Sequence, residues 1–372
     1  MSRSPKDHRR SFLGRSADTL LLLANLMVLA VLVAAGYSQM VHPARFSWLV
    51  AAGLTFPLWL AASVAFALWW LVRRRRYLVC SLMGWAACAA PIRTFFPLNP
   101  GGQVADGSIK VLSYNVEGFT TGGGDSEAFR QQLDYLSRSE AHFMCLQEAM
   151  CYHDSPKYRP LRKALSQWPY QDTLRLSNSN GLAFCSRYPI VGRHVVPAQN
   201  RNYGAAIYKV IMEGDTVAVV NCHFISNAMD EQDKRMYREV VTVPTDRSNK
   251  NNIRHLARKV DGAGVARAQQ ADALGAAIGR LGDMPVILCG DFNDSPISYT
   301  HYRLTRILND AYTRSGRGPG ITYHKSGMYF RLDNILCSHH WKAAQARVDR
   351  DMPHSDHYPI HAYLKLVQHK RH

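Results

Sequence analysis

The sequence predicts an α+β domain of layered strands and helices, preceded by N-terminal transmembrane helices. Three observations predict it. The long uncharged apolar runs of this 372-residue chain are concentrated in its first hundred residues. From Ile109 onward the pattern changes to short β-branched runs of the kind that form strands. A few long helical stretches interrupt those strands, which fits an α+β or layered domain.

The first fifteen residues, "MSRSPKDHRRSFLGR", form a basic tail. Three apolar segments follow, at about 20–37, 46–72 and 77–93, and are expected as transmembrane helices. Trp48 and the pair Trp69-Trp70 stand near the ends of the second, where an aromatic belt would sit. The third is short, but its flanking Arg side chains can snorkel to the interface. The tail and the "RRRR" at 73–76 are basic, whereas the loop at 38–45 carries only Arg45. The positive-inside rule therefore puts both basic segments in the cytoplasm. With three spans, an integral multi-pass protein results, and the rest of the chain lies on the extracytoplasmic, periplasmic side. Residues 1–96 are thus expected as a membrane region, 97–107 ("PLNPGGQVADG") as a Pro- and Gly-rich linker, and 108–372 as a separate folded domain.

Charge and cysteine usage narrow the possibilities. Eleven Lys and Arg and two acidic residues fall within the first hundred positions, so about half of the formal net charge of +17 belongs to the membrane region. The basic balance is then a weak argument for nucleic-acid binding. The eight Cys lie in or beside apolar segments, as small core hydrophobes rather than a disulfide framework. A small transporter is disfavoured, because segments 20–37 and 46–72 carry no charged residue and three helices are too few.

In the second part of the chain, strands are expected at "IKVLSYN", "HFMCLQE", "GLAFCSR", "AAIYKVIM", "TVAVVNCHF", "PVILCGDF", "RLDNILCS" and "YPIHAYLKL". Helices are expected at about 126–139, with Ser126 as N-cap and Glu127 in the first turn, at 263–281, and at 300–309. The polar stretch from Asn227 to Val260 resembles an insertion, either a solvated loop or one that contacts substrate or membrane.

Several apolar strands end in chemistry-bearing residues. Asn115, Glu148, His223, Asp291 with Asn293, and Asp356 with His357 each stand at or near a strand end, and Asp333 sits among apolar neighbours. Singly, each has a bland explanation as a turn residue or a satisfied histidine. Together they are the types that hard cations and acid–base chemistry require. Asp294, next to "GDFN", looks like a turn residue leading into Ser295-Pro296.

The ordered set "YNVEG", "LQE", "SRYPI", "NCHF", "GDFND", "RLDNIL" and "SDHYPI" resembles the endonuclease/exonuclease/phosphatase superfamily over about residues 109–367. That superfamily includes deoxyribonuclease I, abasic-site endonucleases, neutral sphingomyelinases and inositol polyphosphate 5-phosphatases. The segment "DAYTRSGRGPGITYHK" is similar to bacterial members, many of which carry N-terminal spans. The resemblance implies a four-layer α/β/β/α sandwich, deoxyribonuclease I-like, and a divalent cation, Mg2+ or alternatively Mn2+. It also implies hydrolysis of a phosphate ester in nucleic acid or in a phospholipid or sphingolipid headgroup. Within it, Glu148, Asn115 and Asp356 are expected at the metal. His357 or Asp291 is expected to activate water, Asp333 to orient a histidine, and His223 and Asn293 to bond the phosphate oxygens. The alternative is a non-catalytic, membrane-tethered binding module that kept the fold. No protein partner is evident.

Overall fold

The structure, a computed structural model, describes residues 5–119, 126–149, 159–177, 180–243 and 249–367. Its N-terminal region holds α1 (Pro5–Tyr37), α2 (Trp48–Leu54), α3 (Phe56–Arg73), α4 (Arg75–Ala87) and α5 (Ala89–Phe95). Two helical stretches, Ser16–Met40 and Phe56–Arg73, are long and apolar enough to cross a membrane. The expected second segment, 46–72, is not one helix. It breaks at Thr55, and α3 starts afresh with Pro57 in its first turn, where the missing N–H does no harm. The third is bent by 70° between α4 and α5. Pro91 explains the bend: its ring would clash with the carbonyl of Ala87, the last residue of α4.

Among the described residues, twelve strands follow in two sheets. In chain order they are β1 (Ile109–Asn115), β2 (Phe143–Gln147), β3 (Tyr170–Arg175), β4 (Gly181–Ser186), β5 (Ile190–Pro197), β6 (Gly204–Met212), β7 (Asp215–His223), β8 (Val286–Asp291), β9 (Asn309–Asp310), β10 (Asp333–Cys337), β11 (Trp341–Val348) and β12 (Ile360–Leu366). The first sheet runs β11-β12-β1-β2-β4-β3 and the second β5-β6-β7-β8-β10-β9. Within the sheets β1 pairs with β2, and β7 with β8, in parallel; the other pairings are antiparallel.

The helices of this part are α6 (Glu127–Arg138), α7 (Arg159–Leu165), α8 (Glu231–Thr242), α9 (Asn249–Gly279), α10 (Tyr299–Thr305) and α11 (Ala311–Ser315). Alternation along each strand sends one row of side chains into a core shared by the two sheets, including Val111, Phe143, Phe184, Tyr208, Val219 and Ile287. Phe184 and Tyr208 stack there with ring centroids 4.5 Å apart. The other face of the first sheet is covered by α6 and α7, where Phe129, Leu133 and Leu136 recur at helical spacing. The outer face of the second is covered by α9 and α10 through Ala271, Leu274, Ile278 and Leu304. Four layers result, α/β/β/α. Ser126 caps α6 as expected, accepting from the Phe129 N–H.

Within the stretch at 227–260, the described residues 231–242 and 249–260 are helical rather than loop. An Asp230–Asp233 capping box starts α8. Helix α9 begins at Asn249, fourteen residues before the expected 263; its first turns are polar and bury Asn249, Leu256 and Val260 alone, so they show no apolar periodicity. Asp233 joins the two helices, bonding His255 Nε2 at 2.8 Å and also Lys259 Nζ.

Candidate active site

Parallel strands that are neighbours end on the same edge, so the two parallel pairs bring four C-terminal ends to one end of the sandwich. Asn115 ends β1, and Glu148 follows β2; His223 ends β7 and Asp291 ends β8. Register then aligns the chemistry. His223 stands opposite Asp291, and Asp291 opposite Asp333, in one row across β7, β8 and β10. Gly290 lets β7 and β8 approach at this point: a Cβ there would lie 2.1 Å from the Cys222 carbonyl oxygen.

Hydrogen bonds join the two sheets at the row. Asn115 Nδ2 donates to Asp291 Oδ2 at 3.0 Å and to Glu148 Oε1 at 3.2 Å. Beneath them Gln147 Nε2 donates to Asn221 Oδ1 at 2.8 Å, and Asn221 donates to the Leu146 and Ala183 carbonyls. Asp291 accepts from the Asn293 N–H at 2.7 Å, and Asn293 Nδ2 donates to the Phe224 carbonyl at 2.9 Å. Glu148 and Asn293 hold left-handed backbones, φ 52° and 50°, the kind of strain that surrounding structure must impose.

His357 enters from the loop before β12. Its Nδ1 lies 2.7 Å from Asp333 Oδ2, and its Nε2 lies 3.7 Å from Asp291 Oδ2. His223 Nε2 lies 3.7 Å from both Asp291 Oδ2 and Glu148 Oε1. Asn180 Nδ2 donates to His223 Nδ1 at 3.1 Å, which places the proton of the neutral ring on Nε2, facing the site. The two histidines differ in charge. Burial pushes His223 down to about 4, so it is neutral. Burial also disfavours the His357 cation, but the Asp333 and Asp291 carboxylates outweigh it and hold that ring well above its ordinary value. Burial raises Asp291, against the opposing pull of His357.

Asp356 stands at the rim, its N–H donating to Glu117 Oε2 at 3.0 Å. Burial raises Glu117, and the nearby Asp356 and Glu148 raise it further. Burial raises Glu148 too, with Asp356 and Asp291 adding to it. Crowded carboxylates beside an amide oxygen form a donor set that fits a hard divalent cation. Ligand-type atoms of Asp291, Asp333 and His357 also lie within 4.8 Å of one another. There, however, His357 Nδ1 is already engaged with Asp333, so the oxygen donors at Glu148 are the better fit.

All eight residues singled out from the sequence stand at this end of the sandwich. Asp294 stands in the bend that leads into Ser295-Pro296, where it accepts from the Ser295 N–H at 3.1 Å, but it also has a second role. It is buried, pairs with Arg267 Nε at 3.2 Å and accepts from Thr300 Oγ1 at 2.8 Å, which fastens α9 and α10 to the end of β8. Three contributors were missed. Glu117 lay inside the quoted "YNVEG", and its acidic type was a usable signal. Asn180, and Tyr323 with its ring edge-on to His357 at 5.1 Å, had no signal in the sequence, because only the fold brings them in.

The sequence matches the Endonuclease/Exonuclease/phosphatase family over residues 112–357, and a domain of unknown function (DUF8431) over residues 18–95. No curated protein matches the chain. Among solved structures, a humanized D. rerio TDP2 with 14 mutations is similar, with TM-score 0.51 and 15% identity over 69% of this chain and 99% of that one. An endonuclease/exonuclease/phosphatase from Bacteroides vulgatus gives 0.49 and 17%, over 70% and 99%. The human Nocturnin catalytic domain with bound sulfate gives 0.48 and 16%, over 71% and 97%. With that family model covering about two thirds of the chain and all eight residues of the site, the chain belongs to the endonuclease/exonuclease/phosphatase family.

Proposed function

We propose that this chain is a membrane-anchored, divalent-metal-dependent phosphoesterase that hydrolyses a phosphodiester or phosphomonoester by attack of an activated water. Members of the family are typically hydrolases of phosphate esters. The observation that carries the proposal is the row His223–Asp291–Asp333, with His357 held on Asp333 and an oxygen-rich cation site beside it.

Glu148 and Asn115 would hold the cation, assisted by Asp356 and Glu117. Once bound, the ion neutralises the phosphate and stabilises the charge that develops on it. Asp291 takes the proton of the attacking water. Its carboxylate is held by Asn293 and Asn115, and burial lifts its basicity toward the useful range. His357, kept protonated, donates from Nε2 to a phosphate oxygen, while Asp333 fixes its ring. Neutral His223 donates from Nε2 to a second oxygen. Asn293 already donates to the Phe224 carbonyl and to Asp291, so its role is to position the base.

Residues 1–96 then form the anchor and 108–372 the catalytic domain. The connection at 97–107 is pinned: the Pro97 carbonyl accepts from Gly318, and Asn99 Nδ2 donates to the Thr313 and Gly316 carbonyls. The test is an assay of the full chain on plasmid DNA, RNA, sphingomyelin and phosphoinositides, with magnesium and with chelator. Chelation is expected to abolish turnover, and magnesium to restore it. Turnover that survives chelation, or Asp291→Ala or His357→Ala variants near wild-type rate, would reject the proposal.

A further inference from the structure

Helix α9 is longer than the sheet it covers. Its C-terminal half, with Ala271, Leu274 and Ile278, packs on the second sheet. It runs antiparallel to β8, which follows it, so its N-terminus lies at the end of the sandwich where β8 delivers Asp291. Residues 249–260 therefore overhang the site end by roughly 18 Å at 1.5 Å per residue. Helix α8 folds back along this overhang.

The same end of the sandwich meets the membrane region. A Cβ on Gly53 would lie 2.3 Å from the Ile297 carbonyl, and one on Gly264 would lie 2.6 Å from Val50. His42 pairs with Asp272 at 3.3 Å and meets the Tyr299 ring edge-on. Asp294, three residues past Asp291, lines one crevice with Ser38, Val41 and Pro43. The 38–55 loop also exposes Phe46 and Trp48, residues suited to a membrane interface.

The hairpin's own surface has two features. Val241, Val243 and Ile253, at the end of α8 and the start of α9, are 58%, 53% and 47% exposed. The described hairpin residues 231–243 and 249–260 carry seven Lys and Arg against three acidic residues. Exposed apolar residues at the described ends of α8 and α9, among an excess of Lys and Arg, suit an anionic lipid surface. The hairpin also adjoins the site: Arg238 Cγ lies 3.9 Å from where a Cβ on Gly327 would stand, in the loop that carries Tyr323.

We propose that the α8–α9 hairpin rests on the anionic surface of the membrane that holds α1 and α3, and that the site takes phosphate esters of lipid headgroups from that surface. The substrate clause rests on the phosphoesterase activity proposed above; the docking does not. The full chain is reconstituted in phosphatidylserine-containing vesicles with nitroxide lipids. An environment-sensitive fluorophore is attached at Val241→Cys, Ile253→Cys or, as the control on the opposite outer layer, Asp134→Cys. The unsubstituted chain gives the labelling background. Quenching several times stronger at 241 and 253 than at 134, weakened by salt, is expected; equal quenching at all three overturns the docking. In parallel, Val241→Asp/Val243→Asp/Ile253→Asp should lower turnover of a headgroup ester in vesicles by about tenfold. It should leave a soluble aryl phosphodiester unchanged. A common fall in both, no fall in either, or turnover confined to DNA overturns the substrate clause. Wild-type chain that hydrolyses no ester rejects the phosphoesterase function itself, while quenching still decides the docking.

Discussion

In the proposed mechanism Asp291 and His357 work in opposite protonation states; burial opposes both charges, and the Asp333 and Asp291 carboxylates outweigh it at His357. Asp291 must be ionised to accept a proton, so activity is gained as pH rises through its pKa, which burial has raised. His357 must stay protonated to hold the phosphate, so activity is lost as pH rises through its own raised pKa. A bell-shaped kcat/KM profile is expected, with His357 on the alkaline limb. His357→Gln should lower the rate by roughly 10²–10⁴-fold and flatten that limb, whereas Asp291→Asn should remove the acid limb at a similar cost. If His357→Gln instead removed the acid limb, His357 would be the base and the two roles would exchange. Circular dichroism of both variants checks that the fold is kept. At this scale the sequence allowed the candidate residues to be picked out by type and position. Their protonation states were not readable, because these depend on burial and on partners such as Asn180 that the fold supplies.

Among the elements, the strands that the sequence missed share one property. β3, β5, β9 and β11 are the four edge strands of the two sheets. An edge strand is solvated along one side and needs no continuous apolar run; "YQDTLR" and "WKAAQARV" show none. The eight interior strands were found to within about two residues because each carries a mostly apolar run. The buried pairing of Asp294 was missed for a related reason. Its partner Arg267 is 27 positions away on α9, so nothing local distinguishes a buried ion pair from a turn. Replacing it leaves Arg267, 1% exposed, without its carboxylate. Asp294→Ala should therefore destabilise the catalytic domain by about 3–5 kcal/mol, read from denaturant unfolding. A change below about 1 kcal/mol would mean that the pair does not fasten α9 and α10 to β8.

For the whole molecule, contacts between the two regions bear on which side of the membrane the site faces. Asp18 near the start of the apolar part of α1 pairs with Arg73 and Arg74 at the end of α3, at 2.8 and 3.0 Å. The two helices are thus antiparallel, with the basic segments at one end and the 38–55 loop at the other. Gly53, Val50 and His42 in that loop pack on the catalytic domain, so the domain lies on the loop's side. If α1 and α3 cross a membrane, this arrangement predicts that the bent pair α4–α5 carries the chain back across from Arg76 to Phe95. With the basic end in the cytoplasm, the catalytic domain is expected outside it. Alkaline phosphatase fused after His372 should be active in cells, and a fluorescent protein that matures only in the cytoplasm should stay dark. A fusion placed after Arg76 should give the reverse pair of signals. If both fusions report the same side, α4–α5 does not cross, and the contacts of the 38–55 loop with α9 and α10 could not form in a membrane.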